Sequence, residues 1–389
     1  MTARLLIAMI FLLTAAAPPA RAAEPARIVY LGVADDPWYE RQTVYTGLSL
    51  RDRTRPVDGA RLAINGARVI GRALGVDFIL EETLLAPGAP AASAIRAARD
   101  AGALAVLLDL PEDAMTEAVA TEGALGLLVN IRDIGDRWRG EDCAPRLVHT
   151  MPSRAMLTDA LAQHLRVQGW ARVLLLRGPL PDDIAEAEAV RASADKFGLE
   201  IVDEREFEVT NDPRRRDLSN IALLTGGARY DVVWLADSEG EFGRYVPYAT
   251  REARPVIGSE GLRARAWDWT WERNGAPQLN QRFRRLAGRD MTPEDWAAWA
   301  GGQAVVEGVT RAGTDPDTVT GYVLSDALAL DLYKGVRGNF RFWDGQLRQP
   351  ILLATHNAVI ANAPLDGFEH QTDTLDTLGA DRSESACRR

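Results

Sequence analysis

Lysine is almost missing from this chain: Lys196 and Lys334 are its only two, and arginine carries the rest of the positive charge. Genome composition can produce such a bias, although guanidinium forks also suit carboxylates better than ammonium groups do. Histidine is sparse, with four residues at His149, His164, His356 and His370. No two of them sit at metal-ligand spacing, and a Cys-x-x-Cys pair, a phosphate-cradling glycine loop and Gly-x-Ser-x-Gly are all lacking. Gly258-Ser259-Glu260-Gly261 is one residue short of the last of these. Neither an enzyme nor a catalytic cofactor is therefore expected. A formal charge of −10 argues against nucleic acid or an anionic membrane face as the main partner. An anionic ligand would need a local basic pocket.

Long apolar runs are confined to the start of the chain. Met1–Arg4 carries one positive charge, Leu5–Ala17 is apolar, and Ala20-Arg21-Ala22 offers small residues at a cleavage site. The run is short of the roughly 20 residues a bilayer demands, and Pro18-Pro19 break it. A cleaved signal peptide over 1–22 is expected, and with it an exported, soluble, monomeric protein of the periplasm. In that oxidising compartment Cys143 and Cys387, the only cysteines, read most economically as one long-range disulfide, with two free thiols as the alternative.

The rest alternates strand with helix. Strands are predicted at Arg27–Val33, Val76–Glu81, Leu104–Leu108, Leu125–Asn130, Arg172–Arg177, Leu199–Phe207 and Asp231–Asp237. Helices are predicted between them, among them Asp58–Leu74, Ser153–Gly169, Asp182–Phe197 and Arg214–Leu224. Continuous apolar strands separated by helices imply parallel sheets covered on both faces. The fold class is α/β, with two Rossmann-like lobes joined by a multi-strand hinge. Lobe I is expected over 23–148 plus 260–335 and lobe II over 149–259 plus 336–365. From Pro255 the pattern turns irregular, with a strand predicted at Gly261–Glu272, a helix near Thr314–Tyr333 and a strand at Asn339–Trp343. The polar tail 366–389 looks loosely ordered unless a disulfide fastens it to lobe I.

Several strings make the pattern more specific: Asp58-Gly59-Ala60-Arg61-Leu62-Ala63-Ile64-Asn65, Trp138-Arg139-Gly140-Glu141-Asp142-Cys143, His149-Thr150-Met151-Pro152-Ser153-Arg154, Glu241-Phe242-Gly243-Arg244-Tyr245, Arg254-Pro255-Val256-Ile257-Gly258-Ser259, Phe342-Trp343-Asp344-Gly345-Gln346-Leu347-Arg348-Gln349-Pro350 and Asp376-Thr377-Leu378-Gly379. With them the chain resembles the periplasmic binding proteins of branched-chain amino-acid ABC transporters, within these the subgroup associated with pyrroloquinoline quinone (PQQ)-dependent alcohol dehydrogenases. The resemblance implies a type I binding fold, a small molecule gripped between hinged lobes, and delivery to an inner-membrane ABC permease. A PQQ-dependent dehydrogenase system is a further partner it suggests, and the alternative readings are a periplasmic accessory protein that holds a cofactor for such a dehydrogenase without any importer, or a receptor for another small organic acid. One departure stands out: after the third strand, where amino-acid binders present small hydroxyl and glycine residues, this chain reads Leu108-Asp109-Leu110-Pro111. That argues against a free amino acid as ligand.

Ligands of open α/β sheets sit beyond the carboxyl ends of the strands. The loops there hold Trp38 and Tyr39, then Arg132, Trp138 and Arg139, then Arg177 with Asp183. Arg265, Trp267 and Trp269 share one parity, so on a strand they would face one way. Indole planes and guanidinium forks would satisfy a flat aromatic ligand with several carboxylates, a description PQQ fits. Each residue also has a plainer reading. The alternating tryptophans can be core, Trp138 and Arg139 can pack the interlobe crossing, and Arg177 can pair with Asp183.

Overall fold

The computed structural model describes residues 23–43, 48–51, 53–120, 126–210 and 212–389. The leader expected over 1–22 lies outside them, as does Leu125. A five-stranded parallel sheet is built from β1 (Glu24–Val33), β4 (Val76–Leu85), β5 (Ala103–Asp109), β6 (Leu127–Asn130) and β7 (Leu147–His149), in the order β4-β1-β5-β6-β7. A short antiparallel pair, β2 (Gln42–Thr43) and β3 (Ser49–Arg51), stands outside it. Every residue of the central β5 is buried, the consequence of helices covering both faces. A second parallel sheet has the order β11-β10-β8-β9, from β8 (Arg172–Arg177), β9 (Glu200–Glu206), β10 (Val232–Ala236) and β11 (Val256–Gly258).

The helices are α1 (Val57–Leu74), α2 (Ala91–Asp100), α3 (Glu112–Ala120), α4 (Arg154–Gln168), α5 (Pro181–Phe197), the single turns α6 (Ile221–Leu224) and α7 (Val246–Ala249), then α8 (Ala276–Ala287), α9 (Pro293–Ala312) and α10 (Pro316–Val323). One continuous core joins Ile28, Tyr30, Leu107 and Val129 of the first sheet to Trp296, Trp299 and Val305 of α9, so the late helices return to the first lobe. Close approach of α1 and α9 is set by glycine. A Cβ on Gly59 would lie 1.9 Å from the Asp295 carbonyl oxygen, and one on Gly302 would lie 2.8 Å from the Ala63 methyl.

Between the lobes lies an antiparallel sheet of β12 (Arg263–Arg265), β15 (Ile351–Ala354) and β16 (Val359–Ala363). The strand period of two divides β15 between two cores: Leu352 packs into the lobe I core, while Ile351 and Leu353 pack into that of lobe II. No helix among the described residues is long and apolar enough to cross a membrane.

Several predicted elements change. The strand expected over Gly261–Glu272 stops at Arg265, because Asp268 accepts from the Thr270 amide and hydroxyl and turns the chain. The helix expected over Arg214–Leu224 is a 3₁₀ segment, Pro213–Ser219, followed by the one-turn α6. That near Thr314–Tyr333 ends at Val323, and the hairpin β13 (Leu330–Asp331) with β14 (Arg337–Gly338) takes the remainder. Asn339–Trp343 forms no strand. The tail is well folded: Leu378 joins the lobe II core, and the Asp376 carboxylate, 1 % exposed, accepts from Arg341 and Arg348. Cys143 and Cys387 are joined in a disulfide.

Candidate functional site

At the end of β1 the chain turns through Asp35, which takes a left-handed φ of 53°. The Asp36 carboxylate then accepts from the Trp38 amide at 3.0 Å, an aspartate turn that presents Trp38 and Tyr39 beyond the sheet. At the end of β6 Asn130 does similar work, its Oδ1 accepting from the amides of Arg132 (3.1 Å) and Asp133 (2.9 Å). Both turns converge on Asp109, the fully buried last residue of β5.

The Asp109 carboxylate accepts from the Tyr30 hydroxyl and, at 2.5 Å, from the Tyr39 hydroxyl. The guanidinium groups of Arg55 and Arg132 each lie 3.5 Å from it. Arg132 also donates to Asp36 at 2.5 Å. Burial, then the Asp109 charge, pushes both phenols above their ordinary range. Burial pulls the Arg132 guanidinium down, yet its bond to Asp36 and the charge of Asp109 hold it above its usual value. On the rim, the Arg53 guanidinium lies 3.6 Å from the centre of the Trp38 ring and that of Arg132 lies 4.9 Å from it. Each such contact contributes about 0.5–2 kcal/mol. Glu294, in the first turn of α9, acts electrostatically on both Tyr39 and Arg265, which brings the hinge strand into this neighbourhood. Arg265 is weakly compensated. Burial and then Arg263 lower its pKa, and its nearest carboxylate, Asp268, is 3.5 Å away.

The Arg154 amide donates to the Ile134 carbonyl and the Ala155 amide to Asp136, so the start of α4 sits against the loop after β6. Arg154 then bridges to Asp182 and Glu186 in the first turns of α5, which begins where β8 ends. The starts of α4 and α5 thus sit beside the loop after β6.

The structure brings together Trp38, Tyr39 and Arg132, with Arg265 nearby, and places the other expected residues elsewhere. Trp138 is buried in the core on the far face of the first sheet, donating to Asp133. Arg139 is buried in the crossing, spending its donors on Gln346 and the carbonyls of Asp133, Gly135 and Met151. Arg177 pairs with Glu204 and Glu206 of the neighbouring strand rather than with Asp183. Asp183 is buried at the start of α5 and accepts from the amides of Leu180 and Ser238. Trp267 is a core residue stacked on Trp296, whereas Trp269 lies on an exposed turn; the Asp268 turn separates them. Sequence reading did not select Tyr30, Asp36, Arg53, Arg55, Asp109 or Glu294 as site residues. The visible signal was the arginine run ahead of α1 and an aspartate closing an otherwise apolar strand.

No protein-family profile and no curated protein matches the sequence. Solved structures do. A periplasmic binding protein from Burkholderia mallei is 14% identical, with a TM-score of 0.63 over 94% of this chain and 99% of its own. A branched-chain amino-acid ABC transporter periplasmic ligand-binding protein from Burkholderia xenovorans is 15% identical, with a TM-score of 0.64 over 87% and 95%. An ABC transporter substrate-binding protein from Desulfitobacterium hafniense, in complex with leucine, is 16% identical, with a TM-score of 0.65 over 86% and 99%. The chain therefore has the type I periplasmic binding protein fold, two lobes with parallel sheets flanked by helices.

Proposed function

We propose that this protein is the periplasmic substrate-binding component of an ABC importer, and that its ligand is a small planar anion held between the lobes. The observation that carries the reading is the cluster at the carboxyl ends of β1, β5 and β6, with Trp38 under Arg53 and Arg132 held by Asp36 and Asp109, together with the weakly compensated Arg265, which shares the charge of Glu294 with Tyr39. A flat polycarboxylate entering the gap stacks on the Arg53 guanidinium, which already lies on Trp38, and meets Arg265 with a carboxylate. PQQ is the leading candidate of that shape. Solved neighbours include proteins in complex with leucine and isoleucine. Against a free amino acid here stands the Asp109 carboxylate, already supplied with two phenols and two guanidiniums by the chain itself. Ligand bridging both lobes favours the closed state by its extra contacts, and a membrane permease reads that closure.

Calorimetric titration of the purified protein with PQQ and with leucine tests the reading. Heat and tryptophan quenching with PQQ alone are expected. Saturable binding of leucine with no signal from PQQ would overturn the ligand assignment, and measured turnover of either compound would overturn the receptor assignment.

A further inference from the structure

Among the described residues the chain crosses between the lobes at three places: 149–153, 259–266 and 338–350. The tail adds another connection. Its proximal part is fixed to lobe II, where Leu378 enters the core, the Gly379 amide donates to Asp159 of α4 at 2.8 Å, and Lys196 of α5 donates to the Gly379 carbonyl at 2.8 Å. Its distal part is fixed to lobe I. Cys387 is bonded to Cys143, beside Ala144 and Leu147 of the first lobe's core, and Arg389 donates to the Pro145 carbonyl at 2.7 Å. Only residues 380–386 separate the two anchors.

From this we infer that the carboxy-terminal segment is a covalently closed strap across the hinge, which narrows the range of angles the lobes can adopt. The strap lies on the hinge itself. Together with Ser153, Arg341, Asp344 and Gln346 of the crossings, Ala380 and Glu384 border a recess of about 350 Å³. The crossings beneath are already stitched to one another: the His149 amide donates to the Gly345 carbonyl, and the Leu347 amide to the His149 carbonyl. Arg341 and Arg348 tie the third crossing to Asp376 of the tail, so a change of hinge angle must also move the strap's root. The strap has some slack. Residues 381–385 are coiled into a turn in which the amides of Glu384 and Ser385 donate to the Asp381 carbonyl, and the recess leaves room for that turn to shift. Extended at about 3.3–3.6 Å per residue, so short a segment reaches a firm limit. Lobe motion within the slack is free, and wider opening meets a covalent stop.

This inference rests on the two-lobe fold and not on any ligand, so its test uses the ligand-free full chain. Three forms are compared by small-angle scattering and by hydrogen exchange: oxidised wild type, the Cys143→Ser/Cys387→Ser double variant, and a wild-type disulfide chain with four Gly-Ser residues inserted after Ala380. The insertion keeps the bond and both anchors and lengthens only the strap, so it remains informative if the double variant folds poorly. A larger radius of gyration is expected for both altered forms. So is exchange about tenfold faster at the amides of His149 and Leu347, a change of the size typical for energetic coupling between two sites. An inserted chain indistinguishable from the oxidised wild type in both measurements would overturn the proposal.

Discussion

Replacing Asp109 by asparagine removes one charge from the centre of the candidate site while preserving its shape. Two guanidinium groups then lose a carboxylate 3.5 Å away. Each such pair is worth about 5 kcal/mol at the effective dielectric of 20 that suits protein sites. Arg132 keeps Asp36, so its loss is partial; Arg55 is left with the Val33 carbonyl. The asparagine carbonyl can still accept from one of the two phenols. The expected cost is that of breaking a buried ion pair from one side, about 3–5 kcal/mol. Urea unfolding followed by tryptophan fluorescence measures it, with Tyr30→Phe as the reference. That variant deletes one hydrogen bond to a charged acceptor and should cost about 1.5–3 kcal/mol. An Asp109→Asn protein within about 1 kcal/mol of wild type would show that the arginines find their compensation elsewhere and would refute the picture of Asp109 as the resident anion of this cluster.

His149 is fully buried, accepts from the Asn130 amide group and donates to the Trp138 carbonyl. Burial, then Arg139 and Arg389, hold its pKa well below 6.5. The unfolded chain binds the proton and the native one does not, so this residue's stabilising effect is whole above pH 6.5 and is lost as pH falls below it. Wild type should lose about 1.4 kcal/mol per pH unit more than His149→Gln between pH 6 and pH 5, by chemical denaturation at each pH. Trp267→Ala, in the core, should cost about 3–5 kcal/mol, measured by urea unfolding. If the ligand lies at Trp38 as proposed, Trp38→Ala should change stability far less but abolish most ligand-induced quenching in titration. Gly59→Ala drives a methyl into the Asp295 carbonyl and should cost about 1–3 kcal/mol, read as a lowered thermal midpoint. Under the proposed function, Arg265→Ala should weaken PQQ binding by about 10- to 150-fold, the equivalent of a charged hydrogen bond, in the same calorimetric assay.

The alternation of apolar strands with amphipathic helices was legible because each element states its own burial. The all-buried β5 reads as Ala103–Asp109 with no polar residue before its end. Trp38, Tyr39 and Arg132 were legible because they follow strand ends, a local property. Arg53, Arg55 and Glu294 were not. They reach the site only because α1 and α9 pack together through Gly59 and Gly302, residues far apart in sequence. The alternation at Trp267 and Trp269 misled for a related reason: a single hydrogen-bonding aspartate between them turned a presumed strand, and local periodicity is blind to such a turn.

The sequence by itself determined the α/β class, the repeated strand-and-helix units and the scarcity of partners for the two cysteines, since these follow from residue type and spacing along one stretch of chain. Which arginines are spent on carbonyls, which tryptophans are core, and that the near end of the tail packs into lobe II were decided by tertiary structure alone. The reason is physical: a guanidinium or an indole has the same chemistry in a core, a hinge or a gap, and only the long-range packing around it chooses among them.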